Sequence, residues 1–143
     1  MVRLDGTTET DCPICQKHQG KGPLVGPIIY ADDLVFVAHR ASGPLGYVFV
    51  ETQRHAPYLD DLSDDEAAAV GRVSSRLARG LRAELEVDFV HTAVSGMGVP
   101  HFHEHVFVRH AGTPQLYTWW QEWPDAPKGD IPALAKRLGA YFD

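Results

Sequence analysis

Three alternating histidines are the residues of this chain best suited to do chemistry. They are His101, His103 and His105, in the stretch Pro-His-Phe-His-Glu-His-Val-Phe-Val at positions 100–108. On a β-strand alternate side chains share a face, so this spacing predicts three imidazoles side by side. A solvated strand face is the ordinary explanation for any one of them. Three in strict alternation after a glycine-containing loop favour a functional site.

Two kinds of chemistry suit such a row of imidazoles. Neutral rings can bind a transition metal, as in cupin-like barrels. Alternatively, one ring can be a nucleophile while its neighbour donates a hydrogen bond to a phosphate oxygen. With a pKa of about 6.5, imidazole has a free nitrogen lone pair at neutral pH without first losing a proton. The spacing alone leaves both alternatives open.

A second candidate site lies near the N-terminus, where Cys12 and Cys15 form a Cys-x-x-Cys pair. These are the only two cysteines of the chain. In a reducing compartment such a pair is typical of a metal-binding motif or a redox motif rather than of a structural disulfide. Two unremarkable thiols are the third interpretation.

Composition narrows the class of protein. The 143 residues predict one domain, 1–143, large enough for a core without disulfides. A net charge of −6 argues against a general nucleic-acid binder, which would present excess Lys and Arg. A small phosphorylated ligand needs only a few donors and remains compatible with it. We see no membrane-spanning run and no signal peptide, and therefore expect a cytoplasmic protein without a membrane partner.

The pattern of residues predicts an α+β domain. Ser63 and Glu66 form a capping-box signature, and apolar residues recur at helical spacing from Val70 to Leu85, which predicts one long helix over 63–85. A closing helix is expected over 131–142, and 111–130 is an irregular aromatic segment. Links between strands are too short for parallel crossovers, so the sheet should be antiparallel. The predicted strands are Ile28–Tyr30, Leu34–Ala38, Tyr47–Glu51, Phe89–Val94 and Phe102–Arg109.

The ordered motifs resemble those of the histidine triad (HIT) family, whose hallmark is His-x-His-x-His followed by hydrophobic residues. The similarity covers about residues 11–110. It implies the HIT-like fold, with an antiparallel sheet of about five strands, one long helix and a C-terminal helix. The further motifs in family order are Tyr-Ala-Asp-Asp at 30–33, Gly-Tyr-Val-Phe-Val at 46–50, Arg-His at 54–55, Asp-Leu-Ser at 61–63 and Val-Pro-His at 99–101.

This resemblance implies a role for each part of the histidine motif. His103 would be the nucleophile that attacks the α-phosphorus of a nucleotide derivative and forms a covalent nucleotidyl-histidine. His105 would hydrogen-bond a phosphoryl oxygen or the leaving group. Main-chain N–H groups around Ser95, Gly96 and Gly98 would add phosphate donors, since glycine lets the backbone approach an anion closely.

The resemblance also implies a structural zinc site. Zinc-containing bacterial members, and the related galactose-1-phosphate uridylyltransferases, complete an N-terminal Cys-x-x-Cys with two histidines. The matching positions here are His55 and His101, which with Cys12 and Cys15 give the four ligands of a closed site. His18 lies close enough along the chain to compete as a ligand. The zinc would orient the strand that carries the nucleophile.

Several residues depart from the family pattern. Glu104 stands where a hydrophobic residue is usual, and would need a partner if buried. His39 stands where many members carry an aspartate that holds the ribose, so a nucleotide contact from this position is the weakest of our predictions. Trp119, Trp120 and Trp123 would cover the sheet, form a dimer contact or stack on a base.

The resulting hypothesis is an enzyme, a HIT-type hydrolase or nucleotidyltransferase similar to the dinucleoside polyphosphate hydrolases. Its substrate would be a small molecule, either a dinucleoside polyphosphate or a nucleoside phosphoramidate. The alternative is a non-catalytic nucleotide-binding or interaction protein on the same fold, because a fold does not dictate an activity. By resemblance, a homodimer is expected.

Overall fold

A computed structural model describes residues 11–143, and the N-terminal stretch in which we expect no signal peptide falls mostly outside that range. Five antiparallel strands form one sheet in the order β1-β2-β3-β5-β4, which confirms the predicted α+β architecture. The strands are β1 (Ile28–Ala31), β2 (Val35–His39), β3 (Tyr47–Thr52), β4 (Val87–Ala93) and β5 (His103–His110). The helices are α1 (Pro13–His18), α2 (Asp64–Glu84) and α3 (Ile131–Gly139), with 3-10 turns at Leu59–Asp61 and Ala140–Phe142.

The long helix α2 begins as the sequence predicts. The Ser63 hydroxyl accepts from the Glu66 N–H, and the Glu66 carboxylate accepts from the Ser63 N–H. Val70, Val73 and Leu77 are buried along its inner stripe. Satisfying two free N–H groups at the first turn fixes where the helix starts, and the stripe fixes which side meets the sheet.

One face of the sheet packs on α2 and α3, and the other carries the histidines. Val48, Val50 and Val106 alternate into the shared core with the helices. Because side chains alternate along a strand, the residues between these valines point to the opposite face. His103 and His105 lie there, and the ring of Phe49 on β3 is close to both imidazoles. Helices α2 and α3 therefore leave this second face uncovered, and His103 and His105 stay partly exposed on it.

Strand β5 begins at His103 rather than at Phe102, which changes the prediction for the histidine row. His101 lies in a bend before the strand, and its ring joins Cys12 and Cys15. The argument from alternation therefore holds for His103 and His105 but not for His101. His110, one residue beyond the predicted strand Phe102–Arg109, ends β5. It is 5 % exposed and hydrogen-bonds the Leu45 carbonyl at 2.8 Å.

The aromatic segment 111–130 contains neither helix nor strand, as predicted. It runs along the end of the open face, where Trp119 stacks on Phe107 of β5 with ring centroids 6.0 Å apart. Among residues 11–143, no helix combines the length and the apolar character needed to cross a bilayer.

Candidate active site and zinc centre

Cys12, Cys15, His55 and His101 form one compact cluster, with their potential ligand atoms all within 4.8 Å of one another. The His101 Nδ1 lies 3.5 Å from the Cys12 sulfur and 3.4 Å from the Cys15 sulfur. The His55 Nδ1 lies 3.4 Å from the Cys15 sulfur. Four residues from three distant parts of the chain thus meet at a single point.

These distances fit a tetrahedral zinc ion. Bonds of about 2.3 Å to sulfur and about 2.0 Å to nitrogen at tetrahedral angles separate S and N by about 3.5 Å. Two thiolates and two imidazoles are also a typical structural zinc set, which fills all four positions and leaves none for a substrate. The predicted structural zinc is confirmed, and the four ligands predicted for it lie together.

The groups around the cluster orient its residues and favour the protonation state of His101 that binds a metal. The His101 Nε2–H donates to the Thr52 carbonyl at 2.7 Å, which leaves Nδ1 free to face the sulfurs. Burial lowers the pKa of His101 to about 4, so the ring is neutral and can bind a metal at neutral pH. Cys12 also caps α1, where its sulfur accepts from the Cys15 N–H at 3.4 Å.

A buried ion pair fastens the cysteine helix α1 to the sheet. The Lys17 ammonium lies 2.9 Å from the Glu51 carboxylate, and the two side chains are 3 % and 2 % exposed. His18 lies 3.0 Å from the other carboxylate oxygen, so it does not compete for the metal as the sequence had suggested. Burial alone would raise the pKa of the Glu51 carboxyl. The hydrogen bonds from His18 and Lys17 outweigh burial and hold this pKa below its ordinary value.

Sequence reasoning missed this ion pair. Glu51 lies opposite His103 in the pairing of β3 with β5, so α1, the zinc ligands and the histidine strand form one continuous unit. A glutamate inside an apolar strand was the signal that could have revealed it.

The main chain orients His103. Its Nδ1 lies 2.8 Å from the His101 carbonyl oxygen, which can only accept, so Nδ1 carries a hydrogen. In the neutral ring Nε2 is then unprotonated and carries a free lone pair. The ring is half-buried and lies 5.2 Å, centroid to centroid, from that of His105. A neutral imidazole in this arrangement has the lone pair that a nucleophile needs, with a second imidazole beside it.

His105 is held by a tyrosine. Its Nδ1 lies 2.7 Å from the Tyr47 hydroxyl, across the β3–β5 pair. Burial is the main cause that lowers the pKa of His105, and the charge of the neighbouring His103 lowers it further. The neutral ring is therefore favoured. The sequence gave no indication of this contact, because the register that brings Tyr47 beside β5 is not readable from either strand alone.

The glycine-containing loop leaves the sheet next to His105, since Ala93 pairs with His105 at the end of β4. Ser95, Gly96 and Gly98 are exposed in this loop. Gly96 has φ +70°, a conformation that glycine adopts without strain. That these main-chain groups bind phosphate stays a prediction.

Two of the departures from the family pattern acquire structural partners. Both nitrogens of His39 are engaged with the main chain: Nδ1–H donates to the Arg40 carbonyl at 2.7 Å, and Nε2 accepts from the Gly46 N–H at 2.9 Å. The ring is 1 % exposed, so the geometry gives no support to a nucleotide contact from His39. Glu104 accepts a short hydrogen bond from the Ser74 hydroxyl of α2.

A small cleft of about 100 Å³ lies beside the histidine pair rather than over it. Tyr47 and Trp120 line it, and the Trp120 ring lies 6.2 Å from that of His105. Neither His103 nor His105 lines this cleft, so it does not contain the predicted catalytic pair. It is also smaller than the roughly 300 Å³ of a usual ligand pocket.

Comparison with known proteins agrees with this geometry. The model of the HIT domain family matches residues 25–112, which is more than half of the chain. The chain belongs to the HIT family. The zinc cysteines precede the matched region, and most of the aromatic segment follows it. A search of curated proteins gives no match.

Solved structures of HIT proteins share the fold. A Zn-bound histidine triad family protein from Mycobacterium smegmatis is 23% identical with a TM-score of 0.71, covering 94% of each chain. A HIT-like protein involved in cell-cycle regulation from Bartonella henselae is 16% identical with a TM-score of 0.72, covering 94% of this chain and 98% of its own. The Caenorhabditis elegans NitFhit protein is 26% identical with a TM-score of 0.59, covering 80% of this chain and 26% of its own.

Proposed function

We propose that this HIT protein is a nucleotide hydrolase or nucleotidyltransferase that works through a covalent nucleotidyl-histidine on His103. Its substrate would be a dinucleoside polyphosphate or a nucleoside phosphoramidate. The observation that carries the proposal is the bond from His103 Nδ1–H to the His101 carbonyl, which leaves Nε2 as a lone pair on the open face of the sheet.

The reaction would proceed in two displacements. His103 Nε2 attacks the α-phosphorus, a P–N bond forms, and the bond from phosphorus to the leaving oxygen or nitrogen breaks. His105 donates a hydrogen bond to a phosphoryl oxygen or to the leaving group, which departs with the bonding electron pair and takes up a proton from solvent. Water, or another nucleotide in a transferase, then attacks the phosphorus and gives up a proton to solvent. The P–N bond breaks, its electron pair returns to Nε2, and His103 is restored.

The rest of the site would position and stabilise. Main-chain N–H groups at Ser95, Gly96 and Gly98 would neutralise part of the charge that develops on the phosphoryl oxygens. A zinc ion held by the Cys2His2 cluster would crosslink the chain and take no part in the chemistry, because its four protein ligands leave no open position. Glu51, which lies opposite His103 in the pairing of β3 with β5, would connect α1 to the histidine strand.

The test is direct detection of the covalent intermediate. The protein is incubated with a panel of dinucleoside polyphosphates and nucleoside phosphoramidates, quenched in mild base and analysed by intact mass. We expect a nucleotidyl adduct in the wild type and in His91→Asn, a histidine on the neighbouring strand outside the proposed machinery. We expect none in His103→Asn, with turnover lost by a factor of about 10³ or more.

Two results would contradict the proposal. Turnover by His103→Asn at the wild-type rate would show that this imidazole is not the nucleophile. Saturable nucleotide binding without adduct or turnover anywhere in the panel would instead support the non-catalytic nucleotide-binding protein.

We also propose that the protein acts as a homodimer in the reducing environment of the cytoplasm. Supporting a dimer, β4 is one of the two edge strands of the sheet and Phe89 on it is 57 % exposed. Cys12 and Cys15 lie in the metal cluster, and free thiols that bind a metal are kept reduced in such a compartment. Light scattering should give twice the chain mass, and Phe89→Glu should shift it towards the monomer. A monomeric wild type at micromolar concentration would refute the dimer.

A further inference from the structure

Tyr47 makes a contact with His105 that joins two separate motifs of the chain, Gly-Tyr-Val-Phe-Val at 46–50 and the histidine triad. The phenolic oxygen lies 2.7 Å from His105 Nδ1. Among the hydrogen bonds of residues 11–143, this is the one made by the Tyr47 hydroxyl. The tyrosine therefore contacts His105 at Nδ1 and leaves Nε2, on the other side of the ring, without a contact from it.

The tyrosine ring is itself held in place from two directions. Phe107, its partner across β5, stacks on it with centroids 5.4 Å apart and planes 12° from parallel. The Arg40 guanidinium lies over the ring, 4.5 Å from its centroid. Arg40 in turn pairs with Glu122 at 2.6 Å. The aromatic segment beyond the matched HIT region thus braces a residue that touches His105.

The hydrogen of this contact has a preferred location. If Tyr47 donates, Nδ1 accepts and the single hydrogen of the neutral imidazole resides on Nε2. In the reverse arrangement the phenolic hydrogen would lack an acceptor among the described groups in a half-buried position, which is unfavourable. Burial raises the pKa of Tyr47 above its ordinary value, so the phenol retains its proton at neutral pH.

We propose that Tyr47 is a positioning residue that sets the tautomer of His105, so that Nε2 carries a hydrogen for the phosphoryl oxygen or the leaving group. The two catalytic imidazoles then hold opposite tautomers. On His103 the main-chain carbonyl keeps the hydrogen on Nδ1 and leaves Nε2 nucleophilic, while on His105 the phenol keeps Nδ1 bare and makes Nε2 a donor. The catalytic part of this inference rests on the proposed function.

The tautomers can be observed directly, without any substrate. In ¹⁵N-labelled protein at neutral pH, two-bond ¹H–¹⁵N correlations distinguish an Nε2–H from an Nδ1–H imidazole. The His105 signals are assigned by their absence in His105→Gln. We expect the Nε2–H tautomer in the wild type and a mixture with Nδ1–H in Tyr47→Phe, which removes only the hydroxyl. An Nδ1–H wild type, or an unchanged tautomer in Tyr47→Phe, would overturn the proposal.

Kinetics test the consequence for catalysis. With the nucleotide derivative turned over fastest, Tyr47→Phe should lower kcat about tenfold and change KM less than twofold, because the lost bond orients a donor used in the transition state. Tyr30→Phe is the matched control, since its hydroxyl bonds Asp32 at 2.6 Å away from the site, and it should keep wild-type kcat. Unchanged kcat in Tyr47→Phe would overturn the positioning role.

The two failures are distinguishable. If no substrate of the panel is turned over, the proposed function fails, while the tautomer of His105 is still read from the spectra. If substrates are turned over through an adduct on His103 but His105 carries its hydrogen on Nδ1, the proposed function stands and only the role of Tyr47 is refuted.

Discussion

Histidine has several different roles in this molecule, and for four of the histidines a main-chain carbonyl determines which nitrogen is left for that role. His39, His101, His103 and His110 each have one ring nitrogen within hydrogen-bonding distance of a main-chain carbonyl. A carbonyl only accepts, so it fixes the hydrogen on that nitrogen and determines what the other one can do. On His39 the second nitrogen accepts from the backbone, on His101 it faces two sulfurs, and on His103 it is available to a substrate.

Glu104 is the residue at which pH should act on stability. Burial raises the pKa of its carboxyl above the ordinary value, which the hydrogen bond from Ser74 only partly offsets. A raised pKa in the folded state means that the protonated form is preferred there. The stability contributed by Glu104 is therefore present in acid and is lost as pH rises through the raised pKa.

Replacing this carboxyl by its neutral isostere should remove that cost. We expect Glu104→Gln to melt about 2 to 5 °C above the wild type at pH 8, with the gain shrinking as pH falls below the ordinary glutamate pKa, as measured by calorimetry. Glu86→Gln, at an exposed position, is the control and should change little. A Glu104→Gln protein less stable than the wild type at pH 8 would contradict this account.

At the scale of elements, the start of α2 is a local feature that should respond to a single atom. Removing the Ser63 hydroxyl leaves the Glu66 N–H without its cap. We expect Ser63→Ala to lower the free energy of unfolding by about 1 kcal/mol in urea titrations. Ser75→Ala, which removes an exposed hydroxyl within the same helix, should stay within about 0.5 kcal/mol of the wild type. Equal losses in the two variants would mean that capping is not the cause.

Elements encoded by neighbouring residues were predictable, and those that depend on register were not. The capping box and apolar stripe placed α2 to within one residue at each end, since both signals lie within the helix itself. The six-residue helix α1 was missed because a cysteine caps it, although Pro13 in its first turn was a usable signal. The site shows the same limit: His103 and His105 follow from alternation, but their alignment with Tyr47 and Glu51 depends on which strands become neighbours.

For the whole molecule, the zinc cluster is the feature with the widest influence. It joins α1, the segment after β3 and the bend before β5, so losing it should loosen all three at once. We expect Cys15→Ser to lose its equimolar zinc in elemental analysis. Its free energy of unfolding should fall by several kcal/mol, on the order of 3 or more, because metal binding and folding are coupled.

The matched control separates this centre from the histidine row. The His103→Ala, His105→Ala double variant lacks both rings of the open face and should retain one zinc per chain. Zinc retained in Cys15→Ser but lost in the double variant would instead place the metal on the imidazoles of the strand, which is the cupin-like alternative.

The span of the chain that the zinc cluster closes also bears on the order of events during synthesis. Its first donor is residue 12 and its last is residue 101, 89 positions later. The two thiols therefore leave the ribosome long before the fourth donor exists, and until then they are open to oxidants and to competing soft ions. Coordination by all four ligands is consequently possible only once residue 101 has been synthesised.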